Sequence, residues 1–547
     1  MSDAAAAIEH IRSYVERHRA LLDTPGLALA VTDRERCLGV LTDGLANVDA
    51  GTPVAPEHRF QIGSISKGFT ALALLLEREA GRLDLDAPVT EYLPWFEVRS
   101  AFPPIRIHHL LSHTSGLVPG MDFTGEGMHE VWALRETETG FAPGERFLYS
   151  NVGYKTLGLV LETIARRPWW EVVRERVMEP IGMGSADVII TNEGRARQAV
   201  GYASPFDDRP WQPRHGWAPA PWAESGTADG TICATAEELA VYARLLLNGG
   251  RGVVSEESFA RMTEPVLGDP DAPEQVYGYG VKWIEEDGAR RLLGHSGGMV
   301  GFTAYLLADV ETGFGVTVLC NSPFSRRLDL VKFALRCLAA GAEGVLLPDI
   351  PEPTDRASVP DASAYAGTYR DEHGTLLVGA LDDRLFLIED GLRVPLAPVD
   401  VDPFPEDADR FLVDADGLDR YGVRFVRDEG VVTQMFRGPR WLVNDRYRGP
   451  LTFEHPPEWG AFVGHYRSWN PWAPGFRVHL RRGELWIVFA GETVDGGGEH
   501  SLTPLPDGSF RVGEPWSPDR VRFDTPIDGR ATRAVFDAAP FYRTFTP

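Results

Sequence analysis

Residues 60–82 read FQIGSISKGFTALALLLEREAGR, and the rest of the chain can be read outward from them. An extended run, Arg59 to Ile62, meets Gly63, and a helical pattern starts at Ser64. Ala71, Leu72, Ala73, Leu74, Leu75 and Leu76 leave that helix no polar face, the mark of a helix buried in the middle of a domain. Ser64 and Lys67 fall on one face of its first turn. A hydroxyl then stands beside an amine at the positive end of a helix dipole. A neutral lysine can take the serine proton, and the helix start can stabilise the oxyanion formed when the serine attacks a carbonyl.

A bare S-x-x-K also fits a serine cap followed by a surface lysine. The chain's use of lysine argues for the chemical reading. It has four lysines, Lys67, Lys155, Lys282 and Lys332, against fifty arginines. Arginine keeps its proton in a protein, whereas a desolvated lysine can lose it. A lysine at this one spot points to a base.

At 547 residues the chain has room for about two to four domains. Its 43% hydrophobic and 24% charged residues are those of a globular protein. A net charge of −25 argues against nucleic acid and against anionic membrane surfaces as partners. Cys37, Cys233, Cys320 and Cys337 are far apart and read as free thiols. The N-terminal stretch is an amphipathic charged helix pattern without an apolar signal region, and no run approaches the ~18 residues of a membrane span. The expectation is a cytoplasmic protein. His108, His109 and His113 carry no accompanying carboxylate motif, so neither a metal nor another cofactor is expected.

Helix is expected over residues 4–22, and strands over 26–32 and 36–42. Residues 83–200 read as mostly helical, with a further helix at 235–249. From 277 the period changes to two, giving four strands (YGYGVKWIEE, ARRLLGH, GFTAYLLADV, GFGVTVLC) and then a helix at 324–340. Strands at both ends with helices between predict one α/β domain, its mainly antiparallel sheet built from the chain's two extremes. Residues 346–362 hold four prolines and no periodicity, and read as a linker.

After the linker the pattern is all-β and repeats. Tyr365-Ala-Gly-Thr-Tyr369 matches Phe462-Val-Gly-His-Tyr466, Arg410-Phe-Leu-Val413 matches Ser509-Phe-Arg-Val512, and Asp419-Arg420 matches Asp519-Arg520. The offsets agree at roughly 98 residues, an internal duplication. Each copy has room for about eight short strands and can avoid open edges by closing into a barrel. The expected division is a catalytic domain at 1–345, the linker at 346–362, one barrel at 363–452 and a second at 456–547.

A Ser–Lys pair also needs a proton relay, oxyanion donors and a substrate clamp. Tyr149-Ser150-Asn151 lies between a Pro/Gly loop and a helix pattern. A tyrosine held near a cation can ionise and relay protons, and an asparagine amide can bind a carbonyl. Gly294-His295-Ser296-Gly297-Gly298 also fits the G-x-S-x-G nucleophile elbow, which needs a strand, the serine and then a helix. The following residues have a hairpin pattern instead, so the reading preferred is an edge strand along which a substrate lies, with His295 facing the cleft.

Ser64-x-x-Lys67, Tyr149-x-Asn151 and His295-Ser-Gly297, in that order, resemble the motifs of the penicillin-recognising serine hydrolases, the class C β-lactamases, D,D-carboxypeptidases, D-aminopeptidases and related esterases of peptidase family S12. HLLSHTSGL (109–117), PGERFLYSNVGY (143–154) and GHSGGMVGF (294–302) extend the likeness over about residues 10–340. The resemblance implies Ser64 as acyl-forming nucleophile, Lys67 as its base and Tyr149 as relay. It places Asn151, His295 and Gly297 along the substrate, with the amides of Ser64 and Gly298 as the oxyanion hole. Many β-lactamases carry lysine where this chain has His295, which points away from β-lactams and towards the aminopeptidase and esterase branches. Two small C-terminal barrels are similar to the architecture of D-stereospecific aminopeptidases; a barrel loop at 490–500, with Asp495 at its tip, could then meet a substrate's free amine.

The expected activity is therefore hydrolysis of small amides or esters, foremost short peptides with D-residues. A carboxylesterase or an acyl-transferring, peptide-cyclising thioesterase would use the same residues. A catalytically dead binding module is the remaining alternative, opposed by the presence of every motif residue. The partner expected is a small-molecule or short-peptide substrate, and the oligomeric state is left open.

Overall fold

The computed structural model describes residues 3–120, 126–269, 272–286, 290–323, 327–353, 355–389, 391–399, 409–489 and 498–544. The chain forms two compact units: residues up to 203 with 217–353, and residues 204–216 with those from 354 onward.

The first unit is built on a nine-stranded antiparallel sheet. Its strands are β1 (Gly26–Thr32), β2 (Cys37–Asn47), β3 (Thr52–Pro53), β4 (Leu267–Asp269), β5 (Ala272–Tyr277), β6 (Lys282–Glu286), β7 (Arg290–Met299), β8 (Phe302–Asp309) and β9 (Phe314–Cys320). They lie in the order β3-β2-β1-β9-β8-β7-β6-β5-β4, so the N-terminal strands meet the C-terminal ones at β1–β9, with Leu29 opposite Val318. β1 reads GLALAVT without alternation because it is covered on both faces. On one face lie α1 (Asp3–Arg17) and the last helix of the unit, Arg327–Glu343. There Ile11, Val15, Leu330 and Ala334 join Leu27, Leu29, Val316 and Val318 in one core. Tyr14 of α1 stacks on Phe333 at 4.4 Å.

The other face carries the helical layer. In it α2 (Ser66–Glu79) is buried along most of its length, as its apolar run requires. Each fully buried leucine of that run contributes about 1.5–3 kcal/mol of transfer free energy. Around it stand α3 (Ile107–Leu111), α4 (Asn151–Ala165) and α5 (Ala236–Leu247). Phe69 of α2 stacks on Tyr242 of α5 at 4.2 Å. Thr317 of β9 donates to Ala236 O at 3.1 Å, tying α5 to the sheet.

Three local expectations change. The first helix ends at Arg17. The helical stretch begins with a 3₁₀ turn at Gly63–Ile65, so Ser64 lies just before α2. YGYGVKWIEE is two strands and a turn, with Gly278 N bonded to Val281 O at 2.9 Å and Gly280 at φ +68°. β4 and β5 come from a Pro- and Asp-rich stretch outside the expected strands; β4 is the sheet edge, where such residues are tolerated, and β5 pairs with β6 and β4 inside it.

In the second unit both copies of the duplication close into eight-stranded antiparallel barrels. The first runs from Gly367–Asp371 to Arg440–Val443 and closes where Arg370 pairs with Val443. The second runs from Gly464–Arg467 to Ala539–Arg543 and closes where Tyr466 pairs with Arg543. Tyr369, Leu387, Phe411, Phe425 and Met435 pack in the core of the first. The duplicated tyrosines make the same bond in each copy: Tyr369 Oη donates to Tyr365 O at 2.7 Å, and Tyr466 Oη to Phe462 O at 2.8 Å.

Residues 204–216 belong to this unit although they interrupt the first in sequence. Their anchor is Asp419, 2% exposed, which receives Arg209 Nη1 at 3.0 Å, Arg214 Nη2 at 2.6 Å and His215 Nε2 at 2.8 Å. Most of the 490–500 loop, including Asp495, lies outside the described residues. Among the described residues, no helix is long and apolar enough to cross a membrane.

Candidate active site

Ser64 is placed by its neighbours on both sides. Phe60–Gln61 pairs with Cys233–Ala234, and Ile62 N donates to Ile232 O at 2.9 Å. Ser66 Oγ accepts from Ile232 N at 3.2 Å, so the 228–234 segment runs along the mouth of α2. β7 closes in from the other side. A Cβ on Gly297 would lie 1.8 Å from Ile62 O, so only glycine fits there. Gly63 has φ +54° and faces the backbone of Gly298. These contacts bring the Gly298 amide beside the turn that carries Ser64.

Lys67 is fully buried, its amine among three oxygens. Its Nζ lies 2.9 Å from Ser64 Oγ, 2.8 Å from Asn151 Oδ1 and 2.9 Å from Asp229 O. It also stands over the Tyr149 ring, 4.8 Å from the centroid. Asn151 opens α4, where Ser150 caps the helix by accepting from Gly153 N at 3.1 Å. The serine, the lysine and the Tyr-x-Asn motif, spread over nearly ninety residues, therefore meet around one amine.

His295 sits in the middle of β7, 4% exposed and 6.3 Å from the Tyr149 ring. Its Nδ1–H donates to Ser296 O, which leaves Nε2 to accept from Tyr277 Oη at 2.8 Å. Burial, reinforced by Lys282 and Lys67, pushes its protonation well below the ordinary histidine range, so the ring is neutral. Tyr277 is itself neutral, its phenol held far above the usual range by burial and by Tyr149. Ser296 lies within a ten-residue strand and β7 passes by a turn into β8, so the strand-then-helix geometry of a nucleophile elbow is not formed there.

Sequence reasoning gave no role to His113, Tyr277 or the Asp229 carbonyl. His113 packs 4.1 Å from the Tyr149 ring and 4.7 Å from that of Tyr277. His109 turns inward as a local cap, its Nδ1 accepting from Arg106 N at 3.0 Å, and burial lowers its pKa to about 4. Among the described residues, no group of three or more His, Cys, Asp or Glu side chains could hold a metal ion. Elsewhere in the unit, an open cavity of about 520 Å³ is lined by residues including Glu126, His129, Thr191 and Glu224.

Over residues 11–340 the chain matches the beta-lactamase family. Penicillin-binding protein 4 of Amycolatopsis lactamdurans is 29% identical over 368 residues, covering 64% of this chain and 94% of that protein. The octameric penicillin-binding protein homologue from Pyrococcus abyssi superposes with a TM-score of 0.59 at 24% identity, over 80% of this chain and 100% of that one. D-amino acid amidase from Ochrobactrum anthropi SV3, complexed with L-phenylalanine amide, gives a TM-score of 0.51 at 23% identity, over 62% of this chain and 99% of that one. Both structures share the fold.

Proposed function

The chain belongs to the beta-lactamase family and is a serine hydrolase, and we propose that it cleaves small amides or esters through an acyl-enzyme on Ser64, with short peptides or amides of D-residues as substrates. The observation that carries this reading is the set of oxygens around Lys67 Nζ. Asn151 Oδ1 and Asp229 O can only accept hydrogen bonds, so a neutral amine gives them its two N–H groups. Its lone pair is left facing Ser64, the one neighbour of the three with a proton to give.

In the forward step Ser64 Oγ bonds to the substrate carbonyl carbon as Lys67 takes the hydroxyl proton. The oxyanion rests on the amides of Ser64 and Gly298. Tyr149, beneath the Lys67 cation, delivers a proton to the leaving nitrogen or oxygen as its bond to carbon breaks. Water then adds to the acyl-enzyme by the reverse relay, releasing the acid and restoring the Ser64 hydroxyl.

His295 supports the choice of substrate. Neutral, with both ring nitrogens engaged, it supplies no cation for a substrate carboxylate at this point of the strand. That favours amides and esters over β-lactams and peptides with a free C-terminus. The test is one preparation offered D- and L-aminoacyl p-nitroanilides, p-nitrophenyl esters and a chromogenic cephalosporin, with fluorophosphonate labelling in parallel. D-aminoacyl anilides should be turned over at least about tenfold faster than their L forms, with the cephalosporin nearly inert. Absence of a Ser64 adduct, or a cephalosporin as best substrate, overturns the reading.

A further inference from the structure

His113 follows α3 in the left-handed region, at φ +56°, and is fully buried. That conformation is unfavourable for a histidine, and what it achieves is specific. The His113 carbonyl accepts from Leu148 N at 2.8 Å, and its Nδ1 accepts from Ser150 N at 3.0 Å. One residue thus holds the backbone immediately before and after Tyr149. Its ring also lies along the Tyr149 ring, 4.1 Å away and tilted by 32°.

Because Nδ1 accepts, the neutral ring carries its proton on Nε2. Among the described residues, Nε2 is buried without a hydrogen-bond partner. A buried donor left in this way is unusual in a core that is merely packed, and asks what the ring's placement serves. The groups facing the ring are Lys67, His295 and Lys282, with the phenols of Tyr149, Tyr154 and Tyr277. Burial first, then those three basic residues, hold its protonation well below the ordinary range. A protonated His113 would lose the acceptor that holds Ser150 and set a cation close to Lys67, opposing its uptake of the Ser64 proton.

We propose that His113 is a positioning residue for Tyr149: it brackets the tyrosine's backbone and stacks on its ring, fixing the phenol for proton transfer. This inference rests on the relay role given to Tyr149 above. The test is a double-mutant cycle in kcat, per fluorophosphonate-titrated active site, with p-nitrophenyl acetate as probe. The set is wild type, His113→Ala, Tyr149→Phe and the double variant, each over a pH series. His113→Ala should lower kcat at least about tenfold with KM within threefold and move the pH profile. In the Tyr149→Phe background the same change should have less than about a twofold effect. His113→Asn, which tolerates the left-handed backbone and offers an acceptor to Ser150 N, should recover most of the loss.

An equal loss in both backgrounds, or an unshifted profile with kcat per site unchanged, means that His113 only supports the fold, and overturns the inference. If His113→Ala does not fold, His113→Phe, which keeps a ring and removes the acceptor, enters the same cycle with the same criterion. Wild-type kcat in Tyr149→Phe alone brings down the relay reading and, with it, this inference; the single variant reports that case separately.

Discussion

Gly63 and Gly298 share a space that only one of them can occupy: a Cβ on Gly63 would lie 2.5 Å from Gly298 N and 2.6 Å from its carbonyl oxygen. The intruding atoms are backbone and cannot swing away as a flexible side chain could. Gly63→Ala also forces an L-residue into a left-handed conformation, at about 1–2 kcal/mol. The variant should fold with a lowered Tm and lose roughly 10²-fold in kcat/KM, the scale of a displaced oxyanion donor. Unchanged kcat/KM would remove the Gly298 amide from the oxyanion hole.

Ser64→Ala should abolish fluorophosphonate labelling and cut turnover by roughly 10³ or more with the circular dichroism spectrum unchanged. Ser296→Ala should keep labelling. A reversal of the two results would make Ser296 the nucleophile.

Lys67→Arg should be nearly as damaging as Lys67→Ala, retaining less than about a tenth of the wild-type rate, or ~1.4 kcal/mol. Arginine keeps the charge but cannot receive the Ser64 proton, and three oxygens close around the present amine leave no room for a planar fork. Steady-state rates per titrated site are the measurement, and substantial activity in the arginine variant would reduce Lys67 to a fixed charge.

Acid should destabilise the fold from the buried neutral histidines. His479 is 5% exposed, and burial, with Arg481 beside it, lowers its pKa to about 3. An unfolded histidine titrates near ~6.5, so below that pH the unfolded state holds the extra proton and stability falls as pH drops towards 3. At pH 5 this one residue amounts to roughly 2 kcal/mol. Thermal unfolding from pH 7.5 to 5 should show a falling Tm, and His479→Gln should flatten the slope. A Gln variant with the wild-type slope would falsify the assignment.

Asp419→Ala leaves Arg209, Arg214 and His215 around an empty position. Loss of one partner of a fully buried pair costs about 3–5 kcal/mol. Here about 2–3 kcal/mol is expected, because Arg214 keeps 25% of its side chain exposed. Hydrogen exchange on the full chain should speed up over 204–216 and the 414–422 loop and leave α2 protected. Equal protection in variant and wild type would show the ion cluster to be inert.

What could be read beforehand follows the range of the interaction. The run 71–76 declares a buried helix by itself, and GLALAVT declares a strand, because these patterns act residue by residue. Tyr369 and Tyr466 exposed the duplication because each repeats its own local setting. The three motifs pick out the candidate residues by type, but Asp229 stands beside Lys67 through a carbonyl that every residue possesses. His113 adopts a left-handed backbone and bonds to a segment 37 residues away, neither of which a spacing reveals. β4 was hidden because an edge strand tolerates residues that elsewhere mean loop.

The anchoring of 204–216 on Asp419 sets a schedule for synthesis. The chain leaves the first unit after residue 203, returns at 217 and leaves again after 353, so the first unit is complete before the barrels begin but carries an early-made piece of the second within it. His215 is made about 204 residues ahead of the aspartate it binds. At ~5–20 residues per second, that is an interval of roughly 10–40 s before Asp419 can receive Arg209, Arg214 and His215. A nascent chain stalled before residue 419 would present this segment to proteases, and one released past it would not.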